Sequence, residues 1–317
     1  MSSSADPSIL VENLVKSYDG RKNAVDGLSF SVDRGEIYGL LGKNGAGKST
    51  TIKVLTTLVP PTSGRVSISG IDVVKKPNLI RKIIGVVQQE EAFDFTTVEQ
   101  NFKIYGMLWE VPRETVKART EELIELFNLT EVRRKRVFEL SGGQKKRLQV
   151  AREFIHDMEV LFLDEPTVGM DPIMRRSVLD FISNKAKKGL TILFTTQILE
   201  EADYICRRVG IIDRGKLVAE GSSDELKNRY GASKKLSVRT SRDLSESEIS
   251  EFNGLMSSIE DVDDFSVGRN EIWAMGKQMN RVMNEVMRKM AAMSIDVEQV
   301  NMDTPSLDDV FLDVVKR

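Results

Sequence analysis

Residues Gly42 to Ser49 read GKNGAGKS, between the apolar run IYGLL and the helix-forming stretch TTIKVL. A G-x-x-x-x-G-K-[ST] loop gains its meaning from that strand-before, helix-after context. The glycines let backbone N–H groups converge on phosphate oxygens, and the following helix points its positive end at them. Gly42, Asn44, Gly45, Ala46 and Gly47 therefore form a candidate phosphate cradle, with Thr50 completing the nucleotide-contacting set. Lys48 is placed to reach β- and γ-phosphates, and Ser49 to ligate Mg²⁺. A loop of this kind at a strand's carboxyl end demands a largely parallel α/β sheet.

The rest of the chain supplies such a sheet. EVLFLDE, TILFTT and VGIIDRGKLVAEG read as strands separated by helices. Before the loop, ILVENLVKSY and GLSFSVDRGE alternate as short strands, with Asp-Gly turn signals at 19–20 and 26–27. Pro60 and Pro61 are expected to stop the helix after the loop. Residues from about 97 to 156 read as helical, with Leu123, Ile124, Leu126 and Phe127 on one stripe. A length of 317 residues calls for more than one core. Beyond the polar stretch GASKK, a β-α-β-β-α-β order matches a ferredoxin-like split unit. The methionines from Met279 to Met293 read there as helix core, and PSLDDVFLDVVKR as a last helix capped by Ser306. The expected domains are 1–231 and 232–317.

Charge and composition narrow the function classes. A net charge of -2 argues against nucleic acid as the main partner. One cysteine, Cys206, excludes an internal disulfide framework and reads as a buried small apolar residue. MSSSADPS lacks a basic segment followed by an apolar one, so no signal peptide is expected. No run approaches the roughly 18 apolar residues of a spanning helix. Any membrane role is expected to pass through a partner.

Two further motifs carry chemistry. EVLFLDEP ends an apolar strand on two carboxylates: Asp164 suits Mg²⁺, directly or through water, and Glu165 suits a general base for an attacking water. LSGGQKKRL sets Ser141, Gly142, Gly143 and Gln144 at the start of a helix, a second anion site of hydroxyl and backbone N–H groups. Alone, Ser-Gly-Gly reads equally well as a plain loop. Following the phosphate loop and shortly preceding the acidic strand, it makes residues 9 to 230 resemble the ATP-binding subunit of an ABC transporter.

That resemblance implies an α/β fold: a P-loop NTPase core of ABC type with a mostly parallel sheet, an antiparallel β subdomain and a helical subdomain at about 90–156. The small α+β ferredoxin-like domain follows. It implies that Tyr18 stacks on adenine, that Asp171 faces the other site across a dimer, and that FDFTTVEQN (93–101) leads toward a membrane subunit. It aligns Gln89 with the glutamine linking Mg²⁺ and water to the membrane partner, with Gln88 as the other choice. It further implies a homodimer in which each ATP lies between one chain's phosphate loop and the other's LSGGQ. The subunit would then be peripheral, at the cytoplasmic face of the cell membrane.

Gln197, in TILFTTQILEEAD, departs from the pattern, standing where most such ATPases carry a histidine on the γ-phosphate. Losing a preorganised donor at a developing charge can cost about 3 to 4 kcal/mol. Glutamine retains a neutral N–H donor, so an active site is still expected. The departure, with SLDDVFL and the C-terminal domain, resembles the daunorubicin-resistance type of subunit, which pairs with ABC-2 permeases. The resemblance implies export of a drug, lipid or polysaccharide. The rivals are a soluble ABC ATPase and a nucleotide-dependent regulator uncoupled from transport. Plainer readings apply to His156 as a helix-end residue, to Lys145, Lys146 and Arg147 as a solvated face, and to Arg133–Arg136 as a solvated loop.

Overall fold

The computed structural model describes residues 6–88, 95–230, 234–260, 262–303 and 306–316. The chain divides into two compact units, Met1–Ser223 and Asp224–Arg317. The first begins with β1 (Ile9–Ser17), β2 (Asn23–Val32) and β3 (Ile37–Leu41), then α1 (Lys48–Leu55), β4 (Ser63–Ile68), β5 (Ile71–Asp72), α2 (Pro77–Ile83) and β6 (Ile84–Val87). A helical stretch follows: α3 (Val98–Leu108), α4 (Arg113–Leu126), two 3₁₀ turns (Thr130–Val132 and Val137–Glu139) and α5 (Gly142–Glu153). The unit then returns to strands with β7 (Val160–Asp164), α6 (Pro172–Lys187), β8 (Thr191–Thr195), α7 (Leu199–Ile205), β9 (Arg208–Asp213) and β10 (Lys216–Gly221).

Six strands form the central sheet in the order β10-β9-β3-β8-β7-β6, all parallel except the β9–β10 hairpin. Successive side chains of a strand face opposite ways, and a sheet covered on both faces must be apolar throughout. β7 and β8 obey this rule. Leu161, Leu163, Ile192 and Phe194 enter a core with α3 to α6, while Val160, Phe162 and Leu193 enter a second core with α1 and the antiparallel sheet. That antiparallel sheet runs β2-β1-β4-β5.

Two local expectations need correction. Asp26 and Gly27 lie inside β2, not at a turn between strands: Leu28 pairs with Leu14 and Asp26 with Val15, leaving Gly27 as the extra residue of a bulge. Its φ of 72° is what a glycine supplies there. Nor do Pro60 and Pro61 stop α1. The helix ends earlier, at Thr57 with φ 61°, where Thr57 N–H donates to Val54 O and Leu58 N–H to Lys53 O. This is a Schellman closure with threonine in the usual glycine place.

The second unit contains α8 (Ser223–Tyr230), whose first residue lies at the division, β11 (Lys234–Thr240), α9 (Glu246–Ser258), β12 (Asp264–Val267), β13 (Glu271–Gly276), α10 (Met279–Ala292), β14 (Val297–Asp303) and α11 (Leu307–Lys316). Its sheet runs β12-β13-β11-β14, antiparallel throughout, the order of the split βαβ unit. One face is packed by α9 and α10, with Phe252, Met256, Met279, Val282, Val286 and Met290 in the core. The Met279–Met293 helix is thus core-forming, as its spacing predicts.

Candidate functional site

The sheet order decides what meets what. β8 lies between β3 and β7, so the loop after β8 stands between the phosphate loop and the acidic end of β7. The crevice beyond parallel strand ends is where open α/β sheets collect ligands.

The phosphate loop leaves β3 and is held by close backbone packing. A methyl group at Gly42 would stand 2.5 Å from Ile212 O, and one at Gly47 would stand 2.6 Å from Ala24 O. Gly47 also has φ 116°, so only glycine suits this N-terminus of α1. The turn of the β9–β10 hairpin braces the loop: Gly215 N–H donates to Ala46 O at 2.8 Å, and Asp26 N–H donates to Gly215 O at 2.9 Å. Asn44 and Gly45 stand exposed at the tip, and Ser49 and Thr50 are half-buried in the first turn of α1. Lys48 is buried and folds back along its own loop, its Nζ donating to Gly42 O at 2.6 Å and Lys43 O at 3.1 Å. Burial draws its ammonium below the ordinary lysine range, while Glu165 and Asp164 pull it back up. The cradle is thus braced by contacts within the protein, with its cation close to both carboxylates.

Asp164 ends β7 and pairs in register with Thr195 at the end of β8. Thr195 Oγ1 donates to Asp164 Oδ1 at 2.5 Å. The chain then turns sharply. Glu165 has φ 51°, a left-handed conformation rare for a residue with a side chain, and its N–H donates to Thr195 O at 3.1 Å. Glu165 is buried, and Gln197 Nε2 donates to its Oε1 at 2.5 Å. Gln197 itself is exposed at the mouth of the crevice. A hydroxyl (Ser49) and a carboxylate (Asp164) are hard oxygen donors of the sort Mg²⁺ takes, typically through only one or two protein ligands plus phosphate and water.

The signature loop is built by local rules. Ser141 caps α5: Gln144 N–H donates to Ser141 Oγ at 3.3 Å, and Ser141 N–H donates back to Gln144 Oε1 at 2.9 Å. Gln144 is thus committed to its own helix. Gly142 is open, whereas a methyl group on Gly143 would stand 2.3 Å from Gly169 O. Asp171 caps α6 through Met174 N–H at 2.9 Å and stays exposed. Tyr18 is 60% exposed, with Lys16 Nζ 5.1 Å above its ring. Gln89 and Phe93 lie outside the described residues.

Sequence reasoning missed several residues here. Lys146 is not on a solvated face. It is 3% exposed and donates to Gln88 O at 2.9 Å, as does Gln149 Nε2 at 3.1 Å. Arg147 donates to Phe127 O and Asn128 O, and Arg133 bridges Glu121 and Glu99, while Arg134, Lys135 and Arg136 are exposed, as expected of a solvated loop. His156 stands in the turn beyond α5, buried and stacked on Trp109 at 3.9 Å, its pKa depressed to about 4 by burial. Cys206 is partly exposed as a residue, although burial raises its thiol pKa. Helical spacing holds the missed signal: Lys146, Gln149 and Glu153 recur at 3 and 4 residues and face one side of α5.

A six-stranded, mostly parallel sheet, a backbone-braced phosphate cradle at β3 and a capped signature loop define an ATP-binding cassette, which binds ATP with Mg²⁺. The model of the ABC transporter family matches residues 25–168, and that of the ATP-binding protein DrrA1-3-like C-terminal domain matches 221–315. The chain is 38% identical over 312 residues to daunorubicin resistance ATP-binding protein DrrA3 of Streptomyces coeruleorubidus, covering 97% of this chain and 96% of the relative. It is 34% identical over 310 residues to linearmycin resistance ATP-binding protein LnrL of Bacillus subtilis, covering 96% and 97%. A solved ATP-binding subunit of an ABC transporter superposes with TM-score 0.66 at 28% identity, covering 70% of this chain and 92% of that one. The chain belongs to the daunorubicin-resistance type of ABC transporter ATP-binding proteins, and its activity is ATP hydrolysis coupled to transport. Subunits of this family work as dimers with a transmembrane partner. Among the described residues no helix is long and apolar enough to cross a membrane.

Proposed function

We propose that two copies of this chain close head to tail on two ATP molecules and drive a separate ABC-2 permease that exports its cargo, from a peripheral position on the cytoplasmic face of the membrane. Each ATP would lie between the cradle of one copy and Ser141, Gly142 and Gly143 of the other. Tyr18 would take the adenine and Lys48 the β- and γ-phosphates, and Ser49, Gln89 and Asp164 would hold Mg²⁺, whose charge would stabilise the transferring phosphoryl group. Asp171 answers the partner's site.

Glu165 is the general base. The observation that carries this reading is the Gln197 amide at 2.5 Å from Glu165 Oε1, on a carboxylate already held in a left-handed turn. An amide nitrogen has two hydrogens, so one can orient Glu165 while the second meets a γ-phosphate oxygen. Gln197 thereby replaces a histidine without bringing a titrating group into the site. The names of the relatives, resistance to daunorubicin and to linearmycin, support a resisted compound as cargo, with the membrane partner selecting it.

The test is Glu165→Gln. Turnover should fall by about 10²-fold or more, ATP should still bind, and an ATP-bound dimer should accumulate in size-exclusion chromatography. Parental turnover would remove Glu165 from the mechanism, and a monomer at saturating ATP would overturn the shared site.

A further inference from the structure

Glu201 lies on α7, in the TILFTTQILEEAD segment that carries Gln197, and is 3% exposed. Each of its carboxylate oxygens is engaged by a threonine from a different loop. Thr167 Oγ1 donates to Oε1 at 2.6 Å, and Thr196 Oγ1 donates to Oε2 at 2.7 Å. Arg175 Nε of α6 stands 3.3 Å from Oε1 and compensates the buried charge. Both threonines are themselves buried. Thr196 immediately precedes Gln197, and its hydroxyl also accepts from Ile198 N–H at 3.0 Å, fixing the turn on either side of the glutamine. Thr167 lies two residues beyond Glu165, in the segment that leads to Asp171.

We infer that Glu201 is a positioning residue for ATP hydrolysis: it ties the loop carrying Gln197 to the loop carrying Glu165, and so holds the amide on the general base. The inference rests on the roles proposed above for Glu165 and Gln197. The physical need is plain. The β7–β8 ladder and the Glu165 N–H bond to Thr195 O fix the backbone as far as Thr195, but Gln197 lies two residues beyond, exposed, and its turn has to be ordered against conformational entropy. A buried carboxylate with both oxygens hydrogen-bonded is expensive to rearrange, because any partner it loses leaves polar atoms unsatisfied away from water. Glu201 therefore adds a buried side-chain tie between the two loops to the backbone tie of the β7–β8 ladder.

The experiment is a mutant cycle in the full chain, measuring steady-state ATP hydrolysis and nucleotide affinity together. Thr196→Val should lower kcat by about 10- to 100-fold while KM for ATP stays within about twofold, since geometry and not binding is disturbed. Thr196→Ser keeps the hydroxyl and should restore most of the rate; Glu201→Gln, which keeps one acceptor oxygen, should fall between. Combined with Gln197→Ala, Thr196→Val should add no further loss, because both remove the same contact. Losses that multiply, a KM that rises as kcat falls, or a Thr196→Ser variant as slow as Thr196→Val would each overturn the inference. Glu165→Gln in parallel separates the two claims: an inactive Glu165→Gln with a multiplying cycle overturns only Glu201's role, whereas an active Glu165→Gln overturns the base itself.

Discussion

Glu153 stands at the last turn of α5 with 5% exposure, and Val86 N–H donates to its Oε2 at 3.2 Å. Burial raises its carboxyl pKa from 4.5 to about 7, with Arg152 at 4.0 Å and the Val86 amide pulling the other way. The unfolded chain releases this proton near pH 4.5, and the folded chain holds it to about 7. Its contribution to stability is therefore full below pH 4.5 and is lost as the pH rises through about 7. Glu153→Gln keeps the acceptor and removes the titration. Relative to the parent, the variant should gain stability between pH 4.5 and about pH 8, on the order of 3 kcal/mol in denaturant unfolding. His156, neutral when folded and protonated below about 6.5 when unfolded, acts in the opposite sense but equally in both proteins, so it cancels. A difference that does not change with pH would show that Glu153 is ionised in the fold. Helical spacing puts Glu153 on one side of α5 with Lys146 and Gln149, but its titration was not legible, because spacing does not say that this side is buried. The places of Lys48, Asp164 and Glu165 were legible, at the helix start and the strand end that their neighbours in sequence define.

At the scale of elements, the two signature glycines separate two causes. A methyl group at Gly142 meets nothing within 4 Å, while at Gly143 it collides with the Gly169 carbonyl at 2.3 Å. Gly142→Ala should leave unfolding stability unchanged or raise it by up to about 1 kcal/mol through helix propensity. Gly143→Ala should lower it by about 1 to 3 kcal/mol, since backbone must move to admit the side chain. Equal effects in thermal and denaturant unfolding would mean that α5 does not pack on the Gly169 segment as described. The helix starts were readable from Ser141 and Ser306, because capping is decided within four residues. The end of α1 was misjudged for the converse reason: Thr57 takes a left-handed conformation that its type does not favour, and the visible prolines lie farther on.

At the scale of the molecule, each unit has its own buried core, and the first holds every described residue of the candidate site. A chain ending at Ser223 should fold and bind ATP within about threefold of the parent, as expected of a unit with its own core. Equilibrium titration with a fluorescent ATP analogue checks this, and loss of binding would make the C-terminal unit part of the nucleotide site. The amino-acid sequence by itself determined the phosphate loop, the acidic strand end, the signature cap and the β-α-β-β-α-β order, because each depends on backbone conformations and hydrogen bonds among neighbouring residues. Only the tertiary structure decided that β8 lies between β3 and β7, bringing Gln197 onto Glu165, and that Glu201 and not Glu200 turns inward. Ile198, Ala202 and Ile205 share the stripe on which Glu201 falls, and an acid on such a stripe is costly until partners arrive. Thr196 is only five residues away, but Thr167 and Arg175 come from other segments, and their meeting with Glu201 depends on long-range strand pairing that no contiguous stretch encodes.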